Sequence, residues 1–341
     1  MKLKIFKNYP LSTLSTFNIG GKANYFTFVE DQQQIFEVLE HSKKAGLKPF
    51  FFGNGANILF PDKPDRDTIF ISTRKFIQCD IKENEVSFSS GFPLSLISLF
   101  YAALNIPDGC FFYLLPGSVG AAAYMNVRYF EHDFSEVVKY VEYIDLDDFK
   151  IKKISGKDCQ FSYKDSIFQK KSWLILNIFL NIRKNPISQL DHSIFTANKY
   201  NLFIKFATDN LLTCSNLSEF YQFYNLKNIT KLFEYFDDAC ISELHKIEQD
   251  RVSKKHFSYP NCGSVFKNNH NFGTPTGVLV DRLKLKGLAH NDAMIAPFHG
   301  NIIINTGKAR QNDVLYLIDL IKDKIYSNFG FVPETEIVII K

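Results

Sequence analysis

The run Lys48-Pro49-Phe50-Phe51-Phe52 passes without a spacer into Gly53-Asn54-Gly55-Ala56-Asn57. Three successive phenylalanines read as a buried strand, and a chain that leaves it through two closely spaced glycines turns sharply. Upstream, Ile35, Phe36, Val38 and Leu39 sit at helical spacing, and Gly46 is placed to end that helix. Helix, strand and glycine turn in that order belong to a chain that mixes both kinds of element. Backbone amides in such a turn can cradle a pyrophosphate. A plain strand-to-loop turn reads the same way. The stretch is neither a GxGxxG fingerprint nor a Walker A loop, so no Rossmann or P-loop assignment follows.

Residues 61–68, polar and carrying two prolines, form the first expected boundary. Beyond them, strand-like runs recur at Ile69–Ser72, Glu85–Ser90, Val138–Asp145 and Leu174–Ile182, with a helical pattern at Leu94–Leu104. Residues 70–185 therefore read as an α+β unit on a mostly antiparallel sheet. Residues 186–228 show no clean period. From there Ile229, Leu232, Phe233, Phe236, Cys240, Leu244 and Ile247 follow the three-to-four spacing of one amphipathic helix. A strand is expected at Ile302–Asn305. A helix carrying Val314, Leu315, Ile318, Ile321 and Ile325 ends before Gly330, and a last strand spans Glu336–Ile340. Alternation along that last segment puts Glu334 and Glu336 on one face.

Composition narrows the ligand class. Among 341 residues, 40 Lys and Arg face 36 Asp and Glu, a net charge of +4 with no dense basic run, which argues against a nucleic-acid partner. No apolar stretch approaches the roughly 18–20 residues of a membrane span, and the first ten residues lack the apolar core of a signal peptide. A cytoplasmic, soluble monomer with free thiols is expected. The six cysteines contain no CxxC pair and the eight histidines no HxxxH pair, so no metal site is expected. A small anionic metabolite remains compatible.

Two further stretches carry possible chemistry. Pro116-Gly117-Ser118-Val119-Gly120-Ala121-Ala122-Ala123-Tyr124-Met125-Asn126 removes side-chain bulk, so backbone can press against a flat ligand or against other protein. Ser264 follows Gly263 without a GxSxG elbow, so a triad hydrolase is unsupported. Such a serine either satisfies backbone in a turn or donates a proton to a carbanion. Tyr163-Lys164-Asp165-Ser166 reads as a solvated turn.

Taken in order, these segments resemble the UDP-N-acetylenolpyruvoylglucosamine reductase family, flavoenzymes of bacterial cell-wall precursor synthesis. Thr16–Gly21 resembles its entry motif, Gly53–Asn57 with Ile58-Leu59 its first flavin loop, and Pro116–Asn126 its second. Tyr163–Phe168, Gly263–Asn268, Leu285–Leu288, Asn305–Gly307 and Glu334–Ile337 are similar to its Y-R-D-S-I-F, G-S-x-F-K-N, L-K-G, N-T-G and E-x-E-V motifs.

The resemblance implies an α+β chain with the two-domain FAD-binding fold of the vanillyl-alcohol-oxidase/PCMH type and a third α+β substrate domain. On that basis residues 1–68 form the first FAD-binding domain, to which the strand in 331–341 returns, and 69–185 the second. Residues 186–240 form an insertion or a lid with an aromatic such as Tyr200, and 241–330 bind substrate. FAD is expected on Gly53, Asn54, Gly55, Ala56 and Asn57 and on Pro116, Gly117, Ser118, Val119, Gly120 and Asn126. NADPH is the implied hydride donor and a UDP-sugar the implied substrate. Ser264 maps onto the proton donor, Glu336 onto the carboxylate that assists it, and Lys164 onto an arginine facing the substrate carboxylate. Arg251, Lys254 and Asn268 map onto substrate contacts.

The chain departs from the family in three places. Lys164 keeps the arginine's charge and loses its planar fork. Arg128-Tyr129-Phe130-Glu131 replaces a glycine-rich stretch, and residues 186–240 are longer than the pattern requires. An impaired flavin or sugar-nucleotide binding protein, and a different FAD-linked oxidase, are the competing readings.

Overall fold

The computed structural model describes residues 3–82, 85–181 and 216–341. Its first sheet is parallel, with Thr68–Ser72 between Tyr25–Phe28 and Lys48–Phe52. The helix Gln32–Ala45 packs on it through Ile35, Val38 and Leu39. That helix starts where the Asp31 carboxylate accepts the Gln34 N–H at 2.8 Å and stops at Gly46, whose φ of +65° a glycine adopts freely. Ile69, Phe70 and Ile71 are almost fully buried, as the central strand of a parallel sheet must be. The boundary expected at residue 68 therefore falls inside this sheet. Lys48–Phe52, expected to be buried, is an edge strand with Lys48 and Pro49 exposed. Proline has no N–H to give to a ladder, and an edge tolerates that.

The second sheet is antiparallel and five-stranded, in the order Lys150–Ser155, Val138–Asp145, Trp173–Leu180, Glu85–Ser89, Cys79–Lys82. The helices Leu94–Ala103 and Val119–Met125 share its core. So do residues 217–257: Leu217, Tyr224, Ile229, Leu232, Leu244 and Ile247 all join the same apolar cluster as Val86–Leu180. Two expectations change here. The amphipathic run from Ile229 to Ile247 is not one helix, because Leu226–Ile229 passes into a 3-10 stretch at Thr230–Tyr235 and Phe236 is extended. Asp237 restarts the chain as the helix Asp238–Ser253 by accepting the Cys240 N–H at 2.8 Å. That helix, expected in the substrate unit, packs on the second sheet's core. Within the expected insertion, residues 216–240 supply core helices, whereas Tyr200 lies outside the described residues.

The third unit holds the antiparallel strands Ala289–His290, Ala293–Ile295 and Ile303–Asn305 and the helices Thr276–Arg282 and Gln311–Phe329. Gly330 ends the long helix at a φ of +77°. Phe17, Ile19 and Leu59 from the start of the chain lie in its core. The last strand is Val338–Ile339, shorter than expected, and it pairs parallel with Ile58–Leu59. Glu334 and Glu336 precede it, so strand alternation does not set their directions. Among the described residues, no helix is long and apolar enough to cross a membrane.

Because Asp237 caps the helix that carries Arg251, Asp237→Ala is expected to lower stability by about 1 kcal/mol. Urea unfolding with an unchanged slope checks this, and an unaltered midpoint would remove the cap's role.

Candidate active site

A cleft of about 630 Å³ lies where the three units meet, within the size range of ligand pockets. Its walls include Gly53–Asn57, Pro116–Gly117–Ser118, Gly120, Lys164, Arg251, Lys254, Ser264 and Glu336. Most of the residues singled out in the sequence are therefore brought together. Three are not among the lining residues. Val119 is fully buried, and the Asn126 side chain braces the loop by donating to Ser162 O at 2.8 Å and accepting from Ser135 N at 3.0 Å. Asn268 Oδ1 accepts the Thr276 N–H at 3.0 Å, so that oxygen caps the start of a helix instead of facing a ligand.

The two glycine loops pack against each other. A Cβ on Gly53 would lie 2.2 Å from Ser118 Oγ, and one on Gly120 would lie 2.6 Å from Ser90 Cβ. Gly117 has open space where a Cβ would project. The Val119 and Gly120 N–H groups donate to Phe92 O at 2.8 Å and Ser90 O at 2.9 Å, which fixes the second loop on the sheet. Three buried polar atoms of cleft-lining residues, Asn54 Oδ1, Ser90 Oγ and Ser118 Oγ, have no protein partner. Buried polar atoms of this kind normally find one. Close glycine contacts beside unpaired hydroxyl and amide oxygens fit an elongated ligand with phosphate and hydroxyl groups, as FAD is.

Ser264 is fixed by its neighbours' backbone. Gly263 has a φ of +79°, and Asn261 Oδ1 accepts its N–H at 2.9 Å. Val265 N donates to Asn301 O at 2.8 Å, and the Asn301 side chain bonds both backbone groups of Phe266. The returning chain lies alongside, with Glu336 N donating to Val265 O at 2.7 Å. Glu336 Oε1 then meets Lys164 Nζ at 2.6 Å, both side chains being largely buried. Glu334 points elsewhere, exposed and paired with Lys267 at 2.7 Å. Lys164 occupies the left-handed region, φ +55°, in a turn held to the second glycine loop by Ser166 Oγ donating to Tyr124 O. It is thus part of the cleft and not a solvated turn.

At the other end the chain crowds cationic groups. Arg251 is 6% exposed and its Nε has no partner. Burial works against its charge. His256 and His299 also line the cleft, their rings 6.2 Å apart. Burial first, then the charge of Arg251, pushes the His256 imidazole down to about 3, and burial lowers His299 as well. His299 Nδ1 accepts the Asn301 N–H at 3.2 Å, so in the neutral ring Nε2 carries the hydrogen. Neither histidine was singled out in the sequence, where eight scattered histidines offer no spacing signal. Ser90, a lone serine at the end of an expected strand, was missed as well, and Tyr129 entered the sequence reading only as part of the Arg128–Glu131 departure. Among the described residues, no group of His, Cys, Asp and Glu is arranged to hold a metal ion.

The family model for the UDP-N-acetylenolpyruvoylglucosamine reductase C-terminal domain matches residues 254–340. The enzyme of that name from Treponema denticola is 30% identical over 337 residues, covering 96% of this chain and 91% of its own. The chain belongs to the UDP-N-acetylenolpyruvoylglucosamine reductase family. The Borrelia garinii subsp. bavariensis member is 29% identical over 332 residues, 97% of this chain and 91% of its own. In structure, the reductase (MurB) from Thermus caldophilus superposes with a TM-score of 0.68 at 20% identity, over the whole of both chains. The α+β architecture expected from the motifs is therefore that of the reductase family.

Two outcomes follow. Gly53→Ala is expected to weaken FAD retention by at least about tenfold, since its Cβ must displace Ser118, measured by flavin titration. Retention equal to the parent would show that the loops do not press on the cofactor. Between about pH 6.5 and 3 the unfolded chain protonates His256 and the native chain does not. The unfolded state binds more protons there, so stability falls with falling pH, by up to about 1.4 kcal/mol per unit from this residue. His256→Gln should flatten that part of the acid limb in urea unfolding, and parallel curves would contradict it.

Proposed function

We propose that this protein uses NADPH, through FAD, to reduce UDP-N-acetylglucosamine enolpyruvate to UDP-N-acetylmuramate, a step of peptidoglycan precursor synthesis. As a family member it is an oxidoreductase acting on a CH–CH bond of a UDP-sugar. Its substrate is a water-soluble sugar nucleotide, consistent with the cytoplasmic location expected from composition. The observation that carries the reading is the Ser264–Glu336–Lys164 group set on the cleft beside two tightly packed glycine loops.

Bound FAD would take hydride from NADPH and supply it to one vinyl carbon of the enolpyruvyl group. The carbon next to the substrate carboxylate then carries developing negative charge and needs a proton. Ser264 is the one to give it, from a backbone position fixed on both sides by Asn261 and Asn301. Glu336, running beside Ser264 and joined to Lys164, keeps a carboxylate and an ammonium at the end of the cleft where that charge develops. Preset charges and dipoles of this kind stabilise a developing anion without reorganising. Lys164 does so as a point charge where an arginine would present two parallel N–H donors. The intact set Ser264, Lys164 and Glu336 supports an active enzyme over an impaired binding protein.

Half-reactions test this directly. Under anaerobic conditions the yellow holoprotein should bleach with NADPH and recolour only with the enolpyruvyl sugar nucleotide. Ser264→Ala should keep the first step and slow the second by roughly 10²–10⁴-fold. Equal loss in both steps would remove the proton-donor role, and a flavin that ignores the sugar nucleotide would remove the function. Lys164→Arg should hold or raise the rate of the second step, and a large fall would mean that the site is built around lysine.

A further inference from the structure

The stretch where this chain departs from the family's glycine-rich pattern folds into a small hairpin, Arg128–Tyr129 pairing antiparallel with His132–Asp133. Its turn is unusual for a bulky residue: Phe130 sits at φ +51° and is 52% exposed. Positive φ at a phenylalanine is disfavoured, so the surrounding contacts must hold it there. Arg128 does so, its Nε donating to Phe130 O at 3.0 Å while its guanidinium pairs with Glu131 and Asp133. The two rings then face cations. The Arg251 guanidinium lies 5.1 Å from the centroid of the Tyr129 ring and 5.6 Å from that of Phe257. Three residues on, Lys254 Nζ lies 5.4 Å from the centroid of Phe130. The two cations are further joined beneath. Tyr129 OH donates to Asp250 Oδ2 at 2.8 Å, and Asp250 Oδ1 meets Lys254 Nζ at 2.6 Å.

We infer that Tyr129 and Phe130 form an aromatic shelf that positions Arg251 and Lys254 for the diphosphate of the nucleotide substrate. The inference rests on the proposed sugar-nucleotide reading of the cleft. Three observations carry it. Arg251 is buried, its Nε is unsatisfied, and among the described residues no carboxylate forms an ion pair with it. Its charge is stabilised in part by two ring faces and by a hydrogen bond with Tyr129. The Nε donor therefore remains available to a ligand's oxygens. Asp250, the nearby carboxylate that would otherwise compete for the guanidinium, is engaged by Tyr129 and Lys254. Tyr129 and Phe130 are positioning residues: they act on the ligand through the two cations.

The test compares Tyr129→Leu, Tyr129→Phe and Phe130→Ala in the holoprotein. Calorimetric titration with UDP gives binding, and the two half-reactions give flavin chemistry. Tyr129→Leu should weaken UDP binding and raise the KM for the enolpyruvyl sugar nucleotide on the order of tenfold, with bleaching by NADPH unchanged. Tyr129→Phe keeps the ring and should restore most of the loss. If Tyr129→Leu loses its flavin, Phe130→Ala decides, because its side chain is exposed and dispensable to the core. A raised KM with unchanged bleaching supports the shelf, and an unchanged KM overturns it. Failure of the functional reading looks different, since the parent protein would then not recolour with the sugar nucleotide. UDP binding would still report the shelf: weaker binding in Tyr129→Leu upholds it, and equal binding overturns it.

Discussion

Glu336 is held from three directions, and the geometry of the cleft depends on all three. Its backbone N–H donates to Val265 O at 2.7 Å, which fixes it beside Ser264. Its carbonyl accepts from Asn57 Nδ2 at 3.1 Å, which ties it to the first glycine loop. Its carboxylate meets Lys164, which belongs to the second unit. One residue thus joins the first, second and third units of the chain. The side-chain pair is mostly shielded from water, where an ion pair is screened little by salt. Buried pairs are costly to desolvate. On the proposed reading this one lies where a developing negative charge calls for a fixed positive one, which gives its cost a functional return.

Much of this was legible in the sequence, and the reasons for success and failure are physical. Three of the antiparallel sheet's five strands, Glu85–Ser89, Val138–Asp145 and Trp173–Leu180, were legible from their apolar and β-branched runs, whereas Cys79–Lys82 and Lys150–Ser155 were not and Ile69–Ser72 belongs to the first sheet. Gly53–Asn57 stood out because glycine spacing records backbone geometry directly, whereas Ser264 was singled out through the family resemblance, and both line the cleft. The amphipathic run from Ile229 to Ile247 misled because apolar spacing continues across a break that only Phe236 and the Asp237 cap reveal. Asn268 and Asn126 were read as ligand contacts, whereas the structure uses their side chains to bond the backbone of neighbouring turns. An asparagine's amide serves either purpose, and sequence does not separate them. His256, His299 and Ser90 were invisible for a different reason. Their importance comes from neighbours distant in sequence, and a single residue type without spacing carries no signal.

The division of labour among units also differs from what linear order suggests. Arg251 and Lys254 lie at the end of a helix whose apolar face packs on the second sheet, although they precede Ser264 by only a few residues in the chain. Ser264 and Glu336 belong to the third unit. A ligand reaching from Arg251 to Ser264 therefore touches two separately packed bodies. Asn261 bridges them: its side chain donates to His256 O and Tyr259 O and accepts from Gly263 N.

The bonds that close the cleft also span very long loops. Thr16 Oγ1 donates to Asn261 O across 245 positions, Asn57 Nδ2 to Glu336 O across 279, and Asn305 Nδ2 to Phe17 O across 288. Closing such loops costs chain entropy before any contact repays it, and topologies dominated by them fold slowly. The antiparallel sheet closes through much shorter connections, so it gains its contacts early. Assembly of the cleft is accordingly placed late in folding, after both outer segments of the chain have docked. By the same reasoning its closing bonds are among the first to be given up when the protein is stressed, which makes cofactor loss an early sign of unfolding.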